Sequence, residues 1–276
     1  MCLLVLAWQV HPRYRLVVAA NRDEYHERPA AALGPWPPPA QLLAGRDLRA
    51  HGTWLGIDRT RRFGVVTNYR ELQPPRPAAP SRGELVPRYL ATPGAARAGD
   101  FLAALAPHAP GYSGFNLLLT DAHALWYGSN RTSPFARELP AGVYGLSNES
   151  LDTPWPKLQR VRAGFESWLR APQPAPPAGL FALLGDRTVA DEASLSGSGG
   201  LPREWERALS APFVLHPVYG TRCSTVLLLE GDGRLYMAER RFDARGAIEG
   251  ETEFRLNPGE FPDTGDGTGS PRAHSD

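Results

Sequence analysis

Lysine is almost absent from this sequence: Lys157 is the single example among 30 basic residues, and arginine supplies the rest. That bias is what a GC-rich, bacterial genome would produce, although arginine also brings rigid forks that grip carboxylates. An excess of charge of either sign is lacking too. Thirty basic residues against 29 acidic leave a formal net charge of +1, which gives no electrostatic case for nucleic acid or an anionic membrane surface. Cysteine occurs twice, at Cys2 and Cys223. Two cysteines argue against a secreted disulfide scaffold and a four-ligand zinc site, while one disulfide stays open. Long apolar runs are missing as well. Leu3 to Trp8 has no basic flank ahead of it and is too short for a signal peptide or a membrane span, so the expectation is a soluble, cytoplasmic protein.

What is present is a chain of 276 residues, long enough to bury a large core in one domain. The runs at 3–9 and 14–20 on either side of "VHPR" predict a buried hairpin, and "GTWLGI" and "RFGVVTN" around "DRTR" predict a second. Ser81 and Glu84 have capping-box spacing ahead of a short helix, and Asp100 is placed to cap "FLAALA". Strands follow in "FNLLLTD", "ALWYGSN" and "GVYGLSN". From Trp155, Leu158, Val161, Phe165, Trp168 and Leu169 fall at helical spacing, with Pro156 in the first turn. "LFALLGD" and "REWERAL" predict short helices around the flexible stretch "SLSGSGG". "STVLLLE" and "RLYMAERRF" form a hairpin about Gly231, Asp232 and Gly233, and "TEFRL" a last strand. Strands at both ends with helices between favour an α+β, largely antiparallel layered fold. One domain over 1–256 and a disordered tail over 257–276 complete the expectation.

Cys2 directly follows the initiator methionine. Removal of Met1 would leave a cysteine whose α-amine, with a pKa of about 7.7 to 8.0, stands beside a thiol of about 8.5. A terminal cysteine thus carries its own general base. The bland alternative is a small buried residue in a core strand. Arg22 and Asp23 follow the first hairpin, whose exit returns close to its start. Asp23 could orient the amine, and Arg22 could lower the thiol pKa or clamp a substrate carboxylate, if the two are not merely a surface ion pair. His11, His26, His51 and His216 are scattered without metal-ligand spacing.

"MCLLVLAW", "NRDEYHERP", "GTWLGI", "GVVTNYRE", "SRGELV", "GLSNESLDTPWPK" and "TRCSTVLL" together resemble the NRDE family, whose eukaryotic members are called transport and Golgi organisation protein 2. The resemblance covers residues 1 to 256. That family is in turn distantly similar to N-terminal nucleophile hydrolases of the penicillin V acylase and bile salt hydrolase type. The resemblance implies an αββα sandwich of two mainly antiparallel sheets flanked by helices. It makes Cys2 the nucleophile, Asp23 the group that orients the amine, and Arg22 the nearby guanidinium. Asn68 and Asn148 would take the oxyanion-side positions, and Arg222 that of a late active-site arginine. Adjacent strand residues point to opposite faces, so Arg22 and Asp23 need not reach one thiol. Two functions follow from the resemblance. One is a cysteine amidohydrolase or acyltransferase on an acyl amide or thioester, which requires no cofactor. The other is a non-catalytic haem-trafficking or acyl-coenzyme A and lipid-binding protein, with Cys2 and Cys223 as candidate thiolates; its partner would be a small acyl or haem-like ligand.

Overall fold

The computed structural model describes residues 2–71, 79–92, 97–172, 175–191, 195 and 201–264, with Cys2 described through its main chain. In chain order the strands are Cys2–Trp8 (β1), Tyr14–Tyr25 (β2), Ala30–Pro35 (β3), Leu42–Asp47 (β4), Leu55–Asp58 (β5), Phe63–Asn68 (β6), Phe115–Thr120 (β7), Leu125–Ser129 (β8), Ala136–Leu139 (β9), Gly142–Leu146 (β10), Leu215–His216 (β11), Tyr219–Glu230 (β12), Leu235–Phe242 (β13) and Ile248–Leu256 (β14). The helices are Leu85–Leu90 (α1), Ala98–Leu105 (α2), Pro156–Arg170 (α3), Ala178–Leu184 (α4) and Arg203–Leu209 (α5).

Alternation along the first hairpin builds two layers at once. Even-numbered Leu4, Leu6, Trp8, Leu16 and Val18 enter a core shared with Leu55, Ile57, Phe63, Val65 and Leu118 of the other sheet. Odd-numbered Leu3, Val5, Val17 and Ala19 face Leu158, Val161, Phe165 and Leu180 of α3 and α4. Burial on both faces explains why the two runs are apolar without interruption. The first sheet runs β10-β1-β2-β12-β13-β14, with β11 on β12, and the second runs β3-β4-β5-β6-β7-β8-β9. Every strand pairing described is antiparallel. α3 and α4 cover the outer face of the first sheet, and α1 and α2 that of the second. The layers are therefore helix, sheet, sheet, helix, an α+β sandwich. No helix among the described residues is long and apolar enough to cross a membrane.

Several local expectations change in the structure. "NRDE" lies inside β2 instead of after it, because β12 pairs with β2 as far as Tyr25↔Tyr219. Arg222 and Cys223 accordingly lie within β12 and not at a strand end. Ser81 Oγ accepts from Gly83 N at 3.3 Å and caps a single 3-10 turn, while the Glu84 carboxylate goes to Arg88 and Tyr112, so no capping box closes. The cap of α2 comes from outside its own segment. Asp121, in the β7–β8 turn, accepts from Ala98 N at 3.0 Å, which leaves Asp100 in the first helical turn. β3, β4 and β9 have no counterpart in the sequence reading; proline at 35, 37–39 and 134 hides their short edge patterns. "SLSGSGG" lies, apart from Leu195, outside the described residues, as does the tail from residue 265. The first part of that tail is held: Arg61 Nη2 donates to Asn257 O and Glu260 O at 2.8 and 3.0 Å, and Phe261 packs on the inter-sheet core.

Candidate active site

The centre of the first sheet brings three candidate positions into one row. Cys2 pairs with Arg22, and Arg22 pairs on its other side with Cys223. The β1–β10 ladder ends at Leu4↔Leu146, two residues short of Asn148. Asp23 pairs with Thr221, and the register of β12 slips between Thr221 and Cys223. That bulge has a consequence for the site. Leu227 and Leu229 face the inter-sheet core, and strict alternation would turn Thr221 the same way. The extra residue, Arg222, instead lets Thr221 meet Asp23 on the helix-facing side, where its Oγ1 donates to Asp23 Oδ1 at 2.7 Å.

Each letter of "NRDE" has a distinct environment. Asn21 is a structural residue: its Nδ2 donates to Leu184 O and Pro212 O at 2.9 and 3.0 Å, and its Oδ1 accepts from Ser224 Oγ at 2.6 Å. Arg22, 6% exposed, stacks 4.4 Å over the Trp54 ring and donates from Nη2 to Asp47 Oδ2 at 3.1 Å. Its Nη1 is buried and has no hydrogen-bond partner among the described residues. Asp23 is 1% exposed; Tyr219 Oη donates to its carbonyl at 2.8 Å. Burial pushes the Asp23 carboxyl up, against the opposing pull of Lys157, the chain's amino terminus, Thr221 and Arg22. Glu24 lies 3.8 Å from both Arg22 and Arg28. Arg22 and Asp23 therefore occupy opposite faces of β2, as their adjacency requires.

Arg22 and Asp23 line a cleft of about 760 Å³ together with Trp54, Asn68, Arg28, Asp47 and Arg82. A second basin of about 300 Å³ shares Glu24, Tyr25, Asn68, Arg82 and Ser113 with it and extends over Asn148, Trp205 and Tyr219. Asn68, at the end of β6, thus stands where the two basins join. Asn148 is 1% exposed and donates from Nδ2 to Asn68 O at 3.1 Å, tying the end of β6 to the segment after β10. Arg222 is not brought to this cleft. Its Nη1 donates to the carbonyls of Tyr25, His26 and Arg28 at 3.1, 2.8 and 3.3 Å, closing the turn after β2. With Cys223, Glu239 and Arg22 it lines a separate cavity of about 40 Å³. Cys223 is a buried thiol hydrogen-bonded to Glu239.

Sequence reasoning missed Thr221, Trp54, Asp47, Arg28 and Glu239. Glu239, 3% exposed, accepts from Leu33 N at 2.8 Å and so links the two sheets. Burial pushes it up, opposed by Leu33 N–H, the Cys223 thiol, Arg241 and Arg22. Burial would raise Asp47 as well, but the Arg28 hydrogen bond at 2.6 Å, Ala50 N–H and Arg22 outweigh it and hold Asp47 below its ordinary value. The two kinds of carboxylate act on stability in opposite senses. A lowered group such as Asp47 stabilises above its unfolded pKa of about 4, and that contribution is lost as pH falls through its folded pKa. A raised group such as Glu239 stabilises below about 4 and loses the contribution as pH rises through its folded pKa. Glu239→Gln is therefore expected to narrow the drop in unfolding free energy between pH 5 and pH 8 in urea titrations. An unchanged drop would remove Glu239 from that pH response.

A family model described as Transport and Golgi organisation 2 matches residues 1–244. The bovine Transport and Golgi organization protein 2 homolog is 34% identical over 280 residues, covering 93% of this chain and 99% of the relative. The human homolog is 33% identical over 278 residues, with the same coverage. The Drosophila melanogaster Transport and Golgi organization protein 2 is 24% identical over 269 residues, 87% of this chain and 91% of its own. A family match across most of the chain and relatives at one-third identity along nearly their whole length lead to one conclusion: the chain belongs to the Transport and Golgi organisation 2 family.

Proposed function

We propose that this protein is an N-terminal nucleophile hydrolase-like enzyme, a cysteine amidohydrolase or acyltransferase that uses Cys2 on an acyl amide or thioester. The observation that carries the reading is the pairing of Cys2 with Arg22, with the buried Asp23 one residue further along β2 and a cleft of about 760 Å³ opening against it. After removal of Met1, the Cys2 thiol gives its proton to its own α-amine as sulfur attacks the carbonyl carbon. The new S–C bond leaves negative charge on the carbonyl oxygen, where the Asn68 amide donates; one such donor contributes up to about 4 kcal/mol. Collapse breaks the bond to the leaving amine or thiol, which takes the proton from the ammonium. Water or a second amine then releases the acyl group. Asp23, shielded from water, suits the task of holding the ammonium between these steps.

The haem reading fits the described residues poorly. Neither basin is lined by a histidine, His26 Nε2 is engaged with His216 O at 3.0 Å, and Cys223 is turned to Glu239. No described side chain in the cleft offers iron an imidazole or thiolate.

The experiment is an intact-mass measurement on native protein without an N-terminal tag, before and after incubation with short acyl amides and acyl thioesters. The expected result is loss of Met1 and one acyl adduct per chain. Retained Met1, or Cys2 unmodified by either class, would remove the enzyme reading and leave a non-catalytic binding protein.

A further inference from the structure

The one lysine of this chain is unusual in three ways. Lys157 is 4% exposed and its Nζ is closed off from solvent, although buried charge demands compensation. It lies in the first turn of α3, the end at which the helix dipole disfavours a positive side chain. And it is lysine in a chain that uses arginine at every other non-histidine basic position. Arginine is a rigid planar fork that stays charged, whereas lysine is a compact point charge that can exchange its proton. Local rules broken together at one position point to a functional requirement.

The fold says what that requirement faces. Leu158 packs onto Gly145, so tightly that a Cβ there would lie 2.8 Å from it. Gly145 pairs with Val5 of β1, which fixes the first turn of α3 over the outer face of β1 and β10. Asp23 has the same parity as Val17 and Ala19, which pack against α3 and α4 on that face. Arg70, from the segment after β6, and Glu206, from α5, line one cavity with Lys157, and Lys157, the chain's amino terminus and Arg22 all act on Asp23 of β2. After burial, Lys157 is the largest influence on the Asp23 carboxyl, ahead of the amino terminus.

We propose that Lys157 is a positioning residue of the Cys2 site, its buried ammonium keeping the Asp23 carboxylate charged and available to the chain's α-amine; this rests on the Cys2 reading above. Lys157 touches no substrate in this role. It acts through Asp23, which is why a compact cation on the helix layer serves a nucleophile on the sheet.

The test is the pH profile of Cys2 alkylation by iodoacetamide, followed by peptide mass, in wild type and Lys157→Met. Methionine keeps the length of the side chain and removes the charge. The midpoint is expected to move up by about one pH unit, a roughly tenfold slower reaction below the midpoint. An unchanged midpoint in folded Lys157→Met, even with reduced stability, would overturn the proposal, because a purely structural lysine alters stability alone. A second measurement covers the case in which that variant does not fold. Protein grown with lysine labelled at Cε gives one NMR signal, and its titration is expected at lower pH in Asp23→Asn than in wild type. A titration that does not move overturns the coupling. Absence of any acyl adduct in wild type would sink the Cys2 reading alone, since neither midpoint depends on turnover.

Discussion

Cys2→Ala is expected to form no acyl adduct with any amide or thioester that modifies the wild type, while the αββα sandwich stays folded. The loss is complete because the one other sulfur of this row is out of reach of the acyl group. Cys223, on the far side of Arg22, is buried and bonded to Glu239. Cys223→Ser is therefore expected to keep the adduct. Asp23→Asn should slow adduct formation by about 100-fold, the lower range for a positioned acid–base group. Asparagine preserves the shape that accepts from Thr221 Oγ1 but cannot balance the ammonium. Mass spectrometry against time, with thermal unfolding as the control, checks all three. An adduct that persists in Cys2→Ala would locate the chemistry elsewhere in the cleft.

Gly52→Ala is expected to destabilise the protein by about 3 kcal/mol, the upper range for overpacking a tight site. An added Cβ would lie 2.3 Å from Gly83 O, 2.4 Å from Gly83 C and 3.0 Å from Glu84 N, all main-chain atoms that cannot rotate away. The same segment carries the hydrogen bond from Thr53 N to Gly83 O at 2.9 Å, which separation of the two chains would break. For a protein of this size the change corresponds to a fall in Tm of roughly 6–12 °C. Thr53 and Gly83 also line the main cleft, so the substitution should weaken ligand or substrate binding in the fraction that remains folded. Calorimetry giving a Tm within about one degree of wild type would show that the 81–84 turn can move aside.

Much of the architecture was legible because it depends on short-range pattern. The runs at 3–9 and 14–20 read as a hairpin buried on both faces since neither alternates, and the 3.6-residue spacing after Trp155 gave α3 and its buried side. Lys157 was visible in composition alone. The cap of α2 was not, because Asp121 reaches Ala98 from a turn 23 residues away. β3, β4 and β9 escaped for a related reason: they are held by partners across the second sheet and not by a strong pattern of their own.

The sequence by itself determined that Arg22 and Asp23 face opposite ways, since neighbours in an extended strand have no alternative. It also determined that "NRDE" returns close to Cys2, because a short turn after an apolar run brings the chain back beside itself, whereas its place inside β2 came from pairing with β12. Only the tertiary structure decided which of the outlying residues join them. Asn148 is held at the end of β6 by its hydrogen bond to Asn68 O, and Thr221 arrives by a one-residue slip in β12. Arg222, carried out by that same slip, binds the carbonyls after β2 instead of entering the cleft. Register and bulges are set by pairing between segments some 150 to 200 residues apart, and no local pattern encodes a displacement of one residue at that distance.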